Sequence, residues 1–322
     1  MPALSENVGS EANLIPTKNN SSLQSAKKSK NDEFYTQISD IEKELNYYDG
    51  HFKDKIVFCN CDNPEWSNFW KFFTLNFDYL GIKKVISTHF EVNKPSYKLE
   101  FIGEKDANGG FVTINTPLEQ NGDFRSPECI EILKEVDIVV TNPPFSLFRE
   151  YIAQLVEYDK KFLVIGNYNS ITYKEIFKLI KYNKLWCGIS PRSINFIDPD
   201  GKLLSVNASW FTNLSHKKRN EEFILYRQFN KADYPKYDNY DAIEVSKVKD
   251  IPMNYEGAMG VPITFMDKFN PDQFEIIGMA EDNGKGFSGG IWDGKNPHCV
   301  INGKNMFKRI FIKNKKSKLN RE

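Results

Sequence analysis

Between Ile41 and Leu214 the chain alternates short apolar runs with longer segments whose apolar residues recur every three or four positions. Ile41, Leu45 and Tyr48 share one helical face. KIVFCNCD, 55–62, is a buried strand running into a turn; Trp66, Phe69, Trp70, Phe73, Phe77 and Leu80 then mark one amphipathic helix of roughly four turns, stopped by Gly81. KKVISTHFE, 83–91, is a second strand, and the polar stretch 92–122 reads as loops with short strands. A short helix from Pro127 to Glu135 precedes the strongly apolar strand VDIVVTN, 136–142. A helix from about Leu147 to Tyr158 leads to the strand KFLVIGN, 161–167, and a helix from Thr172 to Asn183 leads to the strands LWCGI, 185–189, and ASWFTNL, 208–214. Such alternation predicts an α/β protein built on a doubly wound, mostly parallel sheet. Ligands of such sheets bind at the carboxyl ends of the strands, so those ends are where chemistry is sought.

Past residue 214 the alternation stops. HKKRNEE, 216–222, is charged, DYPKYDNYDA, 233–242, is rich in Tyr and Asp, glycines crowd 278–303, and FKRIFIK, 307–313, reads as a closing strand before a basic tail. This predicts a loop-rich C-terminal segment, 215–322, distinct from a main domain over 31–214. Residues 1–30, rich in Ser, Asn and Lys, read as a disordered arm ending in the basic cluster Lys27, Lys28 and Lys30; it is a solvated tail or an arm lying on phosphates.

The formal net charge is zero, from 43 basic and 43 acidic side chains, so any surface for a polyanion must be local. No stretch resembles a signal peptide or a membrane span, and five cysteines without a secretory signal suit free thiols in the cytoplasm. Cys59 and Cys61 lack the partnering Cys or His spacing that zinc requires, so no metal site is expected. Nothing in the sequence calls for an obligatory protein partner.

TNPPFS, 141–146, closes the most apolar strand. Two prolines fix φ and remove two N–H donors, so the loop presents acceptors, among them the side-chain oxygen of Asn142 and the carbonyl of Pro143. Acceptors aimed at both hydrogens of an exocyclic amine hold its nitrogen and favour the pyramidal, nucleophilic form. Against a sulfonium methyl, positioning and electrostatics then do most of the work. Pro144 stiffens the loop, and Phe145 offers a ring face for a base taken out of a duplex. The competing reading is an ordinary proline-rich turn.

N-P-P-F after a buried strand is similar to the catalytic loop of amino-methyltransferases acting on adenine N6 and, less often, on cytosine N4. DEFYTQ, 32–37, resembles the F-Y-T-P cofactor motif of adenine methyltransferases, with Gln37 in place of Pro. FCNCDNPEWSNF, GDFRS, DIVVTNPPFSLFREY, YDKKFLVIGNYNSITYKE, YPKYDNYDAI and GVPITFMDKFNPDQFE together resemble the EcoRI-type adenine methyltransferases over about residues 29–314.

That resemblance implies a Rossmann-like methyltransferase fold using S-adenosyl-L-methionine on double-stranded DNA, as the protective partner of a restriction enzyme or an orphan. It implies a catalytic role for Asn142, Pro143, Pro144 and Phe145. The first strand of these enzymes normally ends in a glycine-rich loop; CNCDNP has none, which implies that Asn60, Asp62 and Pro64 take its place. Glu91 falls where an acid binds ribose hydroxyls. Asp123 and Phe124 resemble the pair that reads the cofactor's adenine, and Phe34, Tyr35 and Thr36 would close over its methionine end. The C-terminal segment would recognise DNA, with Lys217, Lys218 and Arg219 as candidate phosphate contacts. The span from Cys187 to Ser209 is short for the family, so the target sequence need not be that of its namesake. Methylation of RNA or of cytosine N4, or a catalytically silent DNA-binding scaffold, are the alternative readings.

Overall fold

The computed structural model describes residues 35–317 apart from 62, 91–94, 191, 198–200, 283 and 285. The arm expected over 1–30 lies outside these residues, as do the site candidates Phe34, Asp62 and Glu91.

The near-continuous apolar runs form the middle of one eight-stranded sheet, as expected of strands covered on both faces. Its members are β2 (Ile56–Cys59), β3 (Lys84–Thr88), β4 (Tyr97–Lys105), β5 (Phe111–Pro117), β6 (Ile138–Thr141), β7 (Lys161–Asn167), β8 (Trp186–Cys187) and β11 (Ala208–Thr212), in the spatial order β5-β4-β3-β2-β6-β7-β11-β8. The four middle strands, β3, β2, β6 and β7, are mutually parallel, and antiparallel strands extend both edges.

Alternation along each strand sends side chains to two separate cores. Val57, Cys59, Val85, Val140, Leu163, Ile165 and Trp210 meet the helices α1 (Ile38–Leu45), α2 (Asn68–Leu75) and α3 (Phe77–Leu80). Phe58, Ile86, Val139, Phe162, Val164 and Phe211 meet α4 (Pro127–Glu135), α5 (Phe148–Glu157) and α6 (Lys174–Lys181). Helices thus cover both faces, which is the doubly wound arrangement the alternation predicts.

Three details depart from the sequence reading. The single helix expected over 66–80 is two, because Asn76 leaves helical geometry and its amide donates to the Phe72 carbonyl at 2.8 Å. Residues 92–122 hold the long β4–β5 hairpin rather than loops with short strands. Its turn is closed by Asp106, whose carboxylate accepts from the backbone of Asn108 and Gly110 at 2.8 Å each. The outer strand β5 is exposed almost throughout, and its apolar residues Phe111, Val112 and Ile114 fall on no regular alternation.

The C-terminal segment is also more regular than its loops suggested. β12 (Ile243–Glu244), β13 (Met259–Val261), β14 (Phe274–Met279) and β17 (Ile310–Asn314) form a four-stranded sheet, with the small hairpin of β15 (Val300–Ile301) and β16 (Lys304–Asn305) beside them. Its residues Val261, Phe274 and Ile312 share a core with Phe58, Val139 and Phe162 of the central sheet. A third, three-stranded sheet joins β1 (Tyr35–Thr36), β9 (Ile194–Ile197) and β10 (Leu203–Val206).

Candidate active site

β2 and β6 are neighbouring parallel strands, so their carboxyl ends open side by side. Asn60 follows one and Asn142 the other; both are buried. The Thr141 hydroxyl donates to the Asn60 backbone carbonyl, and the Tyr151 hydroxyl, from α5, donates to the Asn60 side-chain oxygen. Burial pushes the Tyr151 phenol well above its ordinary range, so it stays a proton donor. These bonds tie the glycine-free loop after β2 to the Asn142 loop. Pro143 is buried, Pro144 and Phe145 are half-buried, and a short 3-10 turn, Phe145–Leu147, hands the chain to α5.

The small sheet brings the N-terminal motif to the same place. Thr36 pairs with Phe196 across β1 and β9, and the Phe196 ring meets Phe145 edge-on at 6.2 Å. The Thr36 carbonyl accepts from the Asn68 amide at 2.7 Å. Its hydroxyl is buried and has no hydrogen-bond partner among the described residues. A buried hydroxyl left so costs about 1–3 kcal/mol. The position therefore suits a polar ligand group.

Asp123 and Phe124 reach the end of β3 because Gly122 permits it. Gly122 has φ 77°, and a Cβ there would lie 1.8 Å from the His89 carbonyl oxygen, so no other residue fits without moving the loop. Phe124 is buried, with its ring edge-on to Tyr151 at 5.0 Å. Asp123 is held by Arg125, whose Nε and Nη2 donate to the two carboxylate oxygens at 2.9 and 2.7 Å. The Arg125 guanidinium keeps the Asp123 carboxyl below the usual carboxylate range. Pro64 is buried in the turn leading to α2.

Asn60, Thr36, Phe124, Asn142 and Phe145 are thus linked through a chain of contacts that passes by Thr141, Tyr151 and Phe196. Tyr151 and Phe196, which join them, and Arg125, which holds Asp123, were missed from the sequence: a tyrosine on a helix face reads as core, and an arginine two residues from an aspartate reads as surface. Lys217, Lys218 and Arg219 are placed differently. β11 runs antiparallel to β7, and past its end the chain folds back along β8, where His216 Nε2 lies 3.0 Å from the Cys187 carbonyl and the turn Lys217–Asn220 follows. There Lys218 donates to the Ile189 carbonyl at 2.8 Å and the Arg219 guanidinium lies 3.5 Å from the Trp186 ring centre, while Lys217 is exposed.

The model of the family described as "Adenine-specific methyltransferase EcoRI" matches residues 22–315. The chain belongs to this family. It is 48% identical to the type II methyltransferase M.EcoRI of Escherichia coli, with 92% of this chain and 97% of that protein covered. It is 44% identical to the type II methyltransferase M.MpnI of Mycoplasma pneumoniae, over 78% of this chain and 83% of that one. Within the EcoRI family, then, the linked residues at the carboxyl ends of β2 and β6 belong to an adenine-specific methyltransferase. Among the described residues no helix is long and apolar enough to cross a membrane.

Proposed function

We propose that this chain transfers a methyl group from S-adenosyl-L-methionine to the N6 amine of adenine in double-stranded DNA, in the cytoplasm, as the protective half of a restriction–modification pair and without an obligatory protein partner. The observation that carries the reading is the adjacency of the Asn60 loop and the acceptor-rich Asn142 loop, tied by Thr141 and Tyr151.

In this reading the cofactor, when bound, supplies an electrophilic methyl on sulfonium. Thr36 and Asn60 take its amino-acid end, with Tyr35 and Pro64 closing around them. Phe124 lies along its adenine, and Asp123, kept ionised by Arg125, accepts from that ring's amine. Asp62 and Glu91 complete the same set by their position in the sequence. The Asn142 side chain and the Pro143 carbonyl accept from the target amine, hold its nitrogen in line and disperse the positive charge that develops there. Pro144 stiffens the loop, and Phe145 covers the extruded base. Residues 31–214 do the chemistry and 215–322 recognise the duplex, with Lys217, Lys218 and Arg219 meeting flanking phosphates; of the three, Lys217 has the exposed ammonium.

Incubation of the protein with cofactor labelled in the methyl group, against separate DNA and RNA pools, tests the substrate. Mapping of methylated bases in DNA from an expressing host identifies the atom and the site. Label in RNA alone, or on cytosine N4, overturns the proposal.

A further inference from the structure

Arg192 belongs to none of the motifs above. It lies in the connection between β8 and β9, and that connection is held at several points. The buried Glu44 carboxylate accepts from the backbone N–H of Ile189 at 2.8 Å and of Ser190 at 2.6 Å, and also from the Tyr48 hydroxyl at 2.9 Å. A Cβ on Gly188 would meet the same carboxylate at 2.2 Å, so the chain passes directly over it. The Ser193 N–H donates to the Ala208 carbonyl at 3.2 Å, and Ala208 pairs with Asn167, the last residue of β7. Residue 193 is therefore at the carboxyl end of the parallel strands. Three residues on, Phe196 touches Phe145.

The Arg192 side chain is itself fixed. Its guanidinium lies 4.8 Å from the Tyr168 ring centre, and its Nε is 3.0 Å from a carboxylate oxygen of Asp267. The Tyr168 hydroxyl donates to the other oxygen of Asp267 at 3.2 Å and to the Ile263 carbonyl at 3.0 Å. A guanidinium carries five N–H donors in a rigid fork, and one carboxylate engages at most two, so donors remain for a second anion. The side chain is 36% exposed, so that anion can come from solvent.

We infer that Arg192 is a DNA-contacting residue: it clamps a backbone phosphate of the strand whose adenine enters the site beside Asn142 and Phe145. The inference rests on the DNA reading proposed above and adds a contact on the connection that leads from β8 to the Phe196–Phe145 pair. Tyr168 and Asp267 fix the fork before DNA arrives, so little side-chain freedom is lost on binding. Arg149, whose guanidinium lies 5.1 Å from the Tyr173 ring centre, adds positive charge where α5 leaves the catalytic loop.

The test measures binding of a fluorescently labelled duplex of mixed sequence by the full chain over a range of salt concentrations, alongside steady-state methylation. Arg192→Ala should weaken duplex binding roughly ten- to a hundredfold, as expected for loss of a charge-assisted hydrogen bond. It should also reduce the slope of log affinity against log salt by about 0.9, the share of one phosphate. KM for DNA should rise while kcat changes little, and cofactor affinity should stay as in the wild type. Arg192→Lys keeps the charge and should retain the slope with part of the affinity. Affinity within twofold of wild type with an unchanged slope in Arg192→Ala overturns the inference. So does a loss of affinity with an unchanged slope in both variants, which makes Arg192 a structural tie between the connection and Asp267. Failure of the wild type to bind any duplex rejects the DNA reading instead.

Discussion

The Tyr151 hydroxyl donates to the side-chain oxygen of Asn60 across the gap between α5 and the end of β2, beneath the loop that Asn142 opens. Both partners are buried, so the oxygen has no water to replace a lost donor. Tyr151→Phe should therefore cost about 1–3 kcal/mol of unfolding free energy, the penalty of a buried acceptor left unmade. Because Asn60 stands where the cofactor's amino-acid end is proposed to lie, cofactor affinity should fall in the same variant. Urea denaturation and calorimetric titration read the two effects separately; a change in stability with no change in cofactor affinity removes Asn60 from the binding site.

Asn142→Ala deletes one of the two acceptors proposed for the target amine. If that acceptor is worth about 3 kcal/mol in the transition state, the methylation rate falls by about 10². Cofactor affinity should change little, since Asn60 and Thr36 are untouched. Single-turnover measurement separates the chemical step from binding, and a rate within threefold of wild type shows that Asn142 serves only to close the strand.

Asp123 carries the pH prediction. Arg125 holds its carboxyl below the usual range in the folded protein. A carboxyl whose folded pKa is lower than its unfolded value, about 3.9, contributes stability above that value and loses it as pH falls through the folded one. Cofactor affinity in the wild type should thus persist below pH 4. Arg125→Ala releases the carboxyl, and the acid limb of affinity should move up toward about pH 4. Asp123→Ala should weaken cofactor binding by about 1.5–3 kcal/mol at neutral pH while leaving DNA binding almost unchanged. Titration calorimetry across pH checks both; coincident acid limbs in wild type and Arg125→Ala contradict the account.

How far the chain could be read in advance depended on what each residue faces. The interiors of IVFC, IVVT and KFLVIGN are buried on both faces, and a run of three or four consecutive apolar residues has few alternatives to a central strand, so the middle of the sheet and the loop after it were legible. FVTINTP forms an equally real strand, but it lies at an edge with most of its side chains in solvent, and Phe111, Val112 and Ile114 fall on no regular alternation. Met259–Val261 is too short to show a period and is held by its neighbours on both sides. At the site, Asn142 was legible because its chemistry is local to one loop. The partnerships of Asn60 with Tyr151 and of Glu44 with Ile189 span long stretches of chain, and only folding brings them together. The basic run 217–219 shows the converse: its charge was legible, but Lys218 is bonded to a backbone carbonyl and Arg219 is laid on Trp186.

The C-terminal sheet contains a buried ion pair that the chemistry does not use. Arg309 donates to Glu244 through Nη2 at 2.7 Å and through Nε at 3.1 Å, and the Tyr237 hydroxyl donates to the same carboxylate. Removing one member leaves a desolvated charge. Arg309→Ala should destabilise the protein by roughly 3–5 kcal/mol. Denaturant unfolding checks this, and a loss under 1 kcal/mol means that water reaches Glu244 once the arginine is gone.

Phe145 sits directly after the acceptor residues, half-buried, with Phe196 against one side of its ring at 6.2 Å. Two roles fit that position: a core residue supporting the small sheet, or a ring face that stacks on the extruded adenine. They diverge in the presence of DNA. The amine of a paired adenine lies inside the duplex, where an acceptor loop and a sulfonium methyl cannot both reach it, so the base must leave the stack. Replacing the target adenine with 2-aminopurine reports this, because the analogue brightens when unstacked and is quenched when it stacks again. With the wild type the rise should be muted by the Phe145 ring; with Phe145→Ala it should be larger. The same variant should bind the duplex more weakly by about 1–3 kcal/mol, the scale of one base–aromatic stack. Phe145→Trp preserves a stacking face and should keep most of the activity. If Phe145→Ala lowers thermal stability but leaves duplex affinity and fluorescence as in the wild type, the ring supports Phe196 alone, and another side chain holds the flipped base.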